Sequence, residues 1–287
     1  MRLAVTGGTG LVGRFIVEEA LAAGDAVTVL TRRPPVPGVF SSEVAHQPFD
    51  LARPAARLEG VEALVHAGFA HVPGRYRGGE GDDPEGFLAR NGAGTARLFE
   101  QARAAGVGRI VFLSSRAIYG DYPPGTALSE EMPPRPDTLY GEVKREAERA
   151  LAALPLSGIS LRATGVYGPA GPGQRHKWRD LFDSFLAGEE IVSRRGTELH
   201  GEDLAAAVRL LLTVPAEALG DGIFNASDIL LDRRDLLAEV ARLTGCRTPL
   251  PAASTTPVSE MRTERLRALG WRPGGWPRLR ESLPAML

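Results

Sequence analysis

Cysteine occurs once in the 287 residues, at Cys246. One thiol excludes an internal disulfide and fits a reducing compartment, so a cytoplasmic location is expected. Histidine is nearly as scarce: five scattered His and no His/Cys cluster supply no ligand set, so no metal is expected. No apolar run approaches the length of a membrane span. Residue 3 already falls in a strand pattern, which leaves no room for a signal peptide. With a formal net charge of -1 the chain lacks the cationic excess that nucleic acid or an anionic membrane would require, and neither is expected as a partner. The balance of 43% hydrophobic and 24% charged residues is that of a globular protein, enough for one large α/β domain or a core with a smaller lobe.

The chain is organised around its first thirteen residues. Residues 2–6 (R-L-A-V-T) form a short apolar run that ends in T-G-G-T-G-L-V-G at 6–13. A 3.6-residue period follows, with Val12, Phe15, Ile16 and Ala20 on one face. It stops at Gly24, a residue type that takes a left-handed C-terminal position cheaply, and a second apolar run spans 26–30. Strand, glycine-rich turn, helix and strand in about thirty residues open a dinucleotide-binding βαβ unit. Gly7 permits the tight turn, Gly10 lets backbone approach a pyrophosphate, and Gly13 lets the helix lie close against the sheet. The helix N-terminus, at Thr9, Gly10, Leu11, Val12 and Gly13, presents unpaired N–H groups to an anion.

Thr31, Arg32 and Arg33 follow the second strand, where an NAD-type site usually carries a carboxylate for the ribose hydroxyls. A guanidinium can hold a 2′-phosphate through charge-assisted, forked hydrogen bonds, which favours NADP, with NAD as the alternative. An ordinary solvated basic turn is the competing reading.

Further strands are expected at 44–49, ended by Asp50 and Leu51, and at 61–67, whose His66 reads as a packed strand-end residue. Residues 70–84 hold several Gly and Pro and read as a loop whose length suggests a lid or substrate-facing segment. A helix is expected over 84–105, carrying Asn91 and Thr95, then a strand over 109–113 that delivers S-S-R-A-I-Y-G at 114–120. Residues 121–138 are Pro-rich and turn-like; a helix runs over 140–154, a strand over 159–163 and a loop over 164–173. Beyond it, 179–186, 202–212 and 233–243 read as helices, 222–225 as a short strand, and 259–269 as a helix in a Pro-rich tail. The expected fold is α/β, a Rossmann-type doubly wound parallel sheet over 1–168, to which 200–230 returns. A smaller substrate lobe takes 169–199 and 231–287.

Tyr140 and Lys144 lie four apart on a helix, so their side chains share a face. A phenol ionises near ~10, too high for a base at neutral pH, unless an adjacent ammonium and a cationic nicotinamide stabilise the phenolate. Tyr140 could then take a proton from a substrate hydroxyl, with Ser115 holding the same oxygen and Lys144 also holding ribose hydroxyls. By itself a Tyr–Lys pair is as easily a solvated helix face. The glycine loop, the Ser pair and Tyr–Lys in this order carry more.

In that order the chain resembles the extended short-chain dehydrogenase/reductase family, the NAD(P)-dependent epimerase/dehydratase group of sugar-nucleotide enzymes. The motifs are T-G-G-T-G-L-V-G, Asp50-Leu51, N-G-A-G-T at 91–95, S-S-R-A-I-Y-G, and Y-G-E-V-K at 140–144 with Glu148. L-R-A-T-G-V-Y-G-P at 161–169, H-G-E-D-L-A at 200–205 and G-W-R-P at 270–273 continue the match. The resemblance implies a catalytic trio of Ser115, Tyr140 and Lys144. It further implies adenine contacts at Asp50 and Leu51, cofactor contacts at Ala67, Gly68 and Asn91, nicotinamide contact at Val166, a small-molecule substrate and a possible homodimer. Three departures stand out. The dehydratases' Asp-Glu pair is replaced by Arg116-Ala117, against dehydration. Gly165 stands where nucleotide-sugar epimerases carry Asn, and Gly196 where they often carry Arg; Arg194 and Arg195 lie close enough to substitute.

Hydride transfer at a hydroxyl or keto carbon of a sugar-like or small carbonyl substrate is the expected chemistry. It would occur either as a plain dehydrogenase or reductase, or as an epimerase that oxidises, rotates and reduces. A nucleotide-sugar epimerase proper and a non-catalytic NADP-binding sensor are the alternatives.

Overall fold

The computed structural model describes residues 1–72 and 79–287, so residues 73–78, inside the segment read as a lid, lie outside the described residues. Strand β1 (Arg2–Thr6) leads into helix α1 (Leu11–Ala22), then β2 (Ala26–Thr31), β3 (Ala45–Pro48) and β4 (Ala63–His66). Helix α2 (Pro84–Leu88) passes through a π turn (Ala89–Ala93) into α3 (Gly94–Ala104). Next come β5 (Arg109–Ser115), a 3-10 turn (Arg116–Tyr119), β6 (Ala127–Leu128), α4 (Leu139–Ala152), β7 (Ser157–Ala163) and β8 (Gly165–Tyr167). The remainder holds α5 (Arg179–Leu186), β9 (Arg195–His200), α6 (Gly201–Thr213), β10 (Ile223–Ala226), β11 (Ile229–Asp232) and α7 (Arg233–Thr244). It closes with β12 (Glu260–Met261), α8 (Glu264–Ala268) and α9 (Gly275–Ser282).

Seven parallel strands form the main sheet in the order β3-β2-β1-β4-β5-β7-β10, the expected doubly wound α/β arrangement. Its central strands β1, β2, β4 and β5 are mostly apolar because both faces are covered, whereas the edge strand β3 is polar and has no buried residue. Alternation sends Leu3, Val5, Val27, Val29, Val65 and Val111 to the layer of α1 and α6. Ala4, Leu30, Leu64, Ile110 and Phe112 go to the layer of α3 and α4. The order reverses between β1 and β4, and the crevice at that switch point is where such sheets bind ligands.

A second apolar cluster gathers Tyr167, Trp178, Phe182, Ile229, Leu236 and Leu279 under a three-stranded sheet, β11-β9-β8. Leu266 and Trp271, expected with the small lobe, pack instead on the α1/α6 layer, and Trp271 Nε1 donates to Asp203 O at 2.8 Å.

Local departures from the expected elements have physical causes. The helix expected over 84–105 is interrupted by the π turn, because α3 rests directly on the chain at Leu51. A Cβ on Gly94 would lie 2.2 Å from Leu51 O. Residues 165–167, expected as loop, are strand β8, paired in parallel with β9, which periodicity missed as well. The helix expected over 259–269 is only α8; residues 260–261 are instead drawn into a parallel pair with β6 inside the turn-like segment.

α1 begins against the glycine turn so closely that a Cβ on Gly13 would sit 2.2 Å from Gly7 O. Gly13→Ala is therefore expected to lower the unfolding free energy by about 1–3 kcal/mol, the range for overpacking a tight contact. The urea midpoint of the two proteins measures this, and an unchanged midpoint would show that the turn yields without strain.

Candidate active site

The positions expected to meet a cofactor lie along the C-terminal edge of the main sheet. Gly7 has φ +66 and turns the chain out of β1, and its N–H is held by Leu30 O at 3.2 Å. Gly10 caps α1 with no side-chain hydrogen bond, so the first N–H groups of Leu11, Val12 and Gly13 lack intrahelical partners. Thr31 binds the turn after β2 through Oγ1 to Arg33 O at 2.7 Å. Arg32 and Arg33 are exposed, with no ion pair among the described residues. After β3, Asp50 Oδ1 accepts from Ala52 N at 2.9 Å and leaves its other oxygen outward, while Leu51 is buried against α3.

Across the switch point the backbone at Ala67 and Gly68 closes on Gly7, where a Cβ would lie 2.8 Å from Gly68 Cα. The approach is held from below. Gly68 N donates to Thr6 Oγ1 at 3.0 Å, Thr6 Oγ1 meets His66 Nδ1 at 2.6 Å, and His66 Nε2 meets Thr95 Oγ1 at 3.0 Å. His66 stacks on Phe112, and burial, with the nearby charge of Lys144, pushes its imidazole down to about 3. It is a neutral strut, as read from the sequence. Asn91, expected among the cofactor contacts, is 1% exposed and spends its amide elsewhere. Oδ1 accepts from Ala70 N at 2.7 Å, and Nδ2 donates to Ala70 O at 2.7 Å and Phe87 O at 3.1 Å. It shapes the strand-end loop from beneath.

Ser115 ends β5, and its Oγ accepts from Ala117 N at 3.1 Å. Helix α4, capped by Thr138, lands on this turn, since a Cβ on Gly141 would lie 2.6 Å from Ala117 O. That landing brings the first turns of α4, which carry Tyr140 and Lys144, to the end of β5. Lys144 Nζ donates to Leu113 O at 2.6 Å and stands 4.7, 4.6 and 5.6 Å from the ring centroids of Phe69, Phe112 and Tyr140. Phe69 meets the Tyr140 ring edge-on at 5.0 Å. Enclosed this way, Lys144 is pushed down to about 7 by burial, against an opposing pull from the Glu148 carboxylate.

On the small-lobe side, β8 continues from β7, whose Ala163 is the register partner of Ser115. Val166 lies there, packed against the α1/α6 layer. Gly165 faces Glu198 across β8 and β9. The loop between β8 and α5 reaches back to the glycine turn: Gln174 Nε2 donates to Thr9 O at 2.5 Å and Arg14 Nη2 to Pro169 O at 2.8 Å.

Residues 3–227 match the NAD dependent epimerase/dehydratase family. The chain belongs to that family. It is 28% identical over 217 residues to the UDP-glucose 4-epimerase of Lacticaseibacillus casei, covering 71% of this chain and 64% of the relative. It is 36% identical over 144 residues to the uronate dehydrogenase of Agrobacterium fabrum, covering 50% of this chain and 51% of the relative. The chain thus spans between about half and two-thirds of the length of these relatives. The UDP-glucose 4-epimerase of Thermus thermophilus, solved with NAD, superposes with a TM-score of 0.77 at 27% identity, over 100% of this chain and 99% of that one.

Three features of this epimerase/dehydratase-family chain escaped the sequence reading. Phe69 has only its place after Ala67-Gly68 to signal a role. A buried polar network also lies under Ser115. Glu148 accepts from Ser114 Oγ and from Arg162 Nη2 (2.7 Å), Arg162 Nη1 donates to Tyr119 OH at 2.6 Å, and Tyr119 reaches Asn225 Oδ1 at 3.0 Å. The Glu and Arg were visible as motif letters, but their union needs β7 beside α4. The third is the pairing of Lys177 with Glu198. Arg116, in the place of the dehydratases' acidic pair, donates to Ser259 O at 2.9 Å, so no carboxylate stands at that position. Among the described residues no His/Cys/Asp/Glu cluster could hold a metal, and no helix is long and apolar enough to cross a membrane.

The Lys144 amine has a folded pKa below its unfolded one, so from about 7 to about 10.4 the unfolded chain carries a proton that the folded chain lacks. Stability then rises with pH through that window, by at most about 1.4 kcal/mol per unit, and the burial penalty is fully present below about 7. Lys144→Met is expected to stabilise nucleotide-stripped protein at pH 6 and to flatten this rise. Urea unfolding at pH 6, 7.5 and 9 measures both, and parallel curves for the two proteins would refute it.

Proposed function

We propose that this chain is an NAD(P)-dependent oxidoreductase or epimerase acting at a hydroxyl or keto carbon of a sugar-like or small carbonyl substrate. The observation that supports the reading is the seating of α4 on the turn after Ser115, with Lys144 bonded to Leu113 O, at the sheet edge that also carries the glycine turn. The cradle fits a dinucleotide. Its helix N-terminus is uncapped, and added Cβ atoms on Gly7 and Gly13 would strike backbone. Gly7, Thr9, Gly10, Leu11, Val12 and Gly13 would hold the pyrophosphate, Asp50 and Leu51 the adenine end, and Ala67, Gly68 and Val166 the remaining walls. Bound there, a nicotinamide supplies the hydride acceptor and donor.

Tyr140 takes the proton of the substrate hydroxyl and returns it in the reverse direction. Ser115 hydrogen-bonds the same oxygen and fixes its direction. Lys144, held by Leu113 O, keeps two N–H groups for the ribose and, when protonated, lowers the cost of a phenolate on Tyr140. The apolar cluster under β8, β9 and β11 anchors the substrate lobe. Gly165 and Gly196 offer a nucleotide diphosphate no side chain, and a diphosphate without such partners gives up hydration that is not replaced. Alternation along β9 puts Arg195 on the face opposite Gly196, leaving Arg194 as the remaining arginine of that edge. A smaller hydroxy- or keto-compound, such as a free sugar derivative, is the substrate this favours, in keeping with the uronate dehydrogenase relative.

Two outcomes test the reading. Tyr140→Phe is expected to lower turnover by roughly 10²–10⁴-fold with cofactor binding nearly intact; a Phe enzyme that retains full turnover and pH profile would refute it. An epimerase regenerates its cofactor at each turnover, so mass spectrometry of ligand released on denaturation separates a retained cofactor from the exchanged cofactor of a dehydrogenase.

The cofactor we favour is NADP, because Arg32 and Arg33 stand unopposed where a 2′-phosphate would lie. Replacing both by Ala should cost roughly 1–3 kcal/mol of NADP binding and leave NAD nearly unaffected. Isothermal titration with each cofactor checks this, and equal affinities in the unmutated protein would contradict it.

A further inference from the structure

Gly165 leaves a space that this chain fills with two charged side chains of its own. A Cβ at residue 165 would lie 2.3 Å from Lys177 Nζ and 2.9 Å from Glu198 Oε2. The two groups are ion-paired there, with side chains 26% and 14% exposed. Glu198 is on β9, opposite Gly165 in register, and Gly165 is two residues past Ala163, the partner of Ser115. Lys177 is carried by the loop whose Gln174 rests on Thr9. The pair therefore stands against β8, two residues beyond the register partner of Ser115, at the base of the loop that reaches the glycine turn.

Its unused valences define what it can recognise. Among the described residues Lys177 Nζ bonds only Oε2, leaving two N–H donors, and Glu198 Oε1 accepts no hydrogen bond. A carboxylate oxygen beside an ammonium donor matches two adjacent hydroxyls, one donating to Oε1 and the other accepting from Nζ. Burial holds the Glu198 carboxyl above the usual range, with Lys177 and then Arg194 working against it. Around it, Gly196 has no neighbour within 4 Å of a would-be Cβ, so this wall has room for a ligand. A phosphate brought to the same wall meets the Glu198 carboxylate and finds the Lys177 charge already neutralised.

We propose that the Lys177–Glu198 pair is the specificity element of the substrate cleft, gripping a vicinal diol of an uncharged polyhydroxy substrate and rejecting a nucleotide diphosphate. This rests on the oxidoreductase reading above, and it is tested so that the two can fail separately. In cofactor-loaded protein, UDP is expected to give no saturable thermal shift, whereas Glu198→Gln, which releases Lys177, should bind UDP about 10–100-fold more tightly than the unmutated chain, the worth of a charge-assisted bond. In a nicotinamide-absorbance assay with D-glucose, D-galactose and L-rhamnose, Glu198→Gln should raise KM by about the same 10–100-fold with kcat little changed, and Glu198→Asp should restore part of the loss. A merely structural brace would move stability and not KM. Micromolar UDP binding by the unmutated chain, no gain of UDP binding in Glu198→Gln, or turnover confined to nucleotide sugars would each overturn the proposal. Failure of the oxidoreductase reading shows elsewhere, as the absence of any thermal shift with NADP or NAD, and the UDP comparison of the two proteins remains decisive without turnover.

Discussion

Gly7 and Gly68 meet backbone against backbone at the switch point, and the site depends on that approach. A single Cβ at residue 7 would require a positive φ that L side chains rarely adopt and would push β4's end away from β1. The contact is secured by a short buried chain, Gly68 N to Thr6 Oγ1 to His66 to Thr95 Oγ1, which joins β1, β4 and α3. Each bond contributes only about 0.5–1.5 kcal/mol net. Breaking one strands a buried polar partner, so the chain acts as a unit. The glycine cradle and the strand-end loop carrying Phe69 are both set by it.

A second constraint lies under the end of β5 and the face of α4 that carries Lys144. Lys144 and Arg162 are both buried, and the same carboxylate, Glu148, favours the charged form of each. Burying such charges costs more than the pairing returns unless every lone pair is used. Here Ser114, Tyr119, Asn225 and Glu130 complete the set, the last through its carboxylate accepting from Asn225 N at 2.9 Å. The network fixes the end of β5 against α4, β7 and β10. Ser115 and Lys144 therefore stand on a floor tied down by buried hydrogen bonds, which is what the proposed chemistry would need.

The small lobe is joined to this floor at two ends. Its strand β8 is a direct continuation of β7, and its loop returns to Thr9 and Arg14. That loop therefore touches the glycine turn and carries one member of the Lys177–Glu198 pair.

Much of the sheet and its helices could be read from the residue order, because local physics decides them. β1 matches the expected 2–6 and α5 the expected 179–186, and α1 carries the predicted buried face. An apolar run bounded by glycine has few other options. The motifs likewise fall at the end of β5 and the start of α4, which the fold packs together. What the residue order left undecided was every feature that depends on a distant partner. β8, β11 and the β6–β12 pair are too short to show a period, β9 (R-G-T-E-L-H) has no apolar run to mark it, and all of them exist only through their neighbours. The amide of Asn91, a residue expected among the cofactor contacts, is held by Ala70 and Phe87, partners that only the fold brings to it. Lys177 and Glu198 lie twenty-one residues apart as unremarkable charges. Only the folding of β9 against β8 makes them one group, because an ion pair is a matter of distance in space, and distance in space is what the chain acquires last.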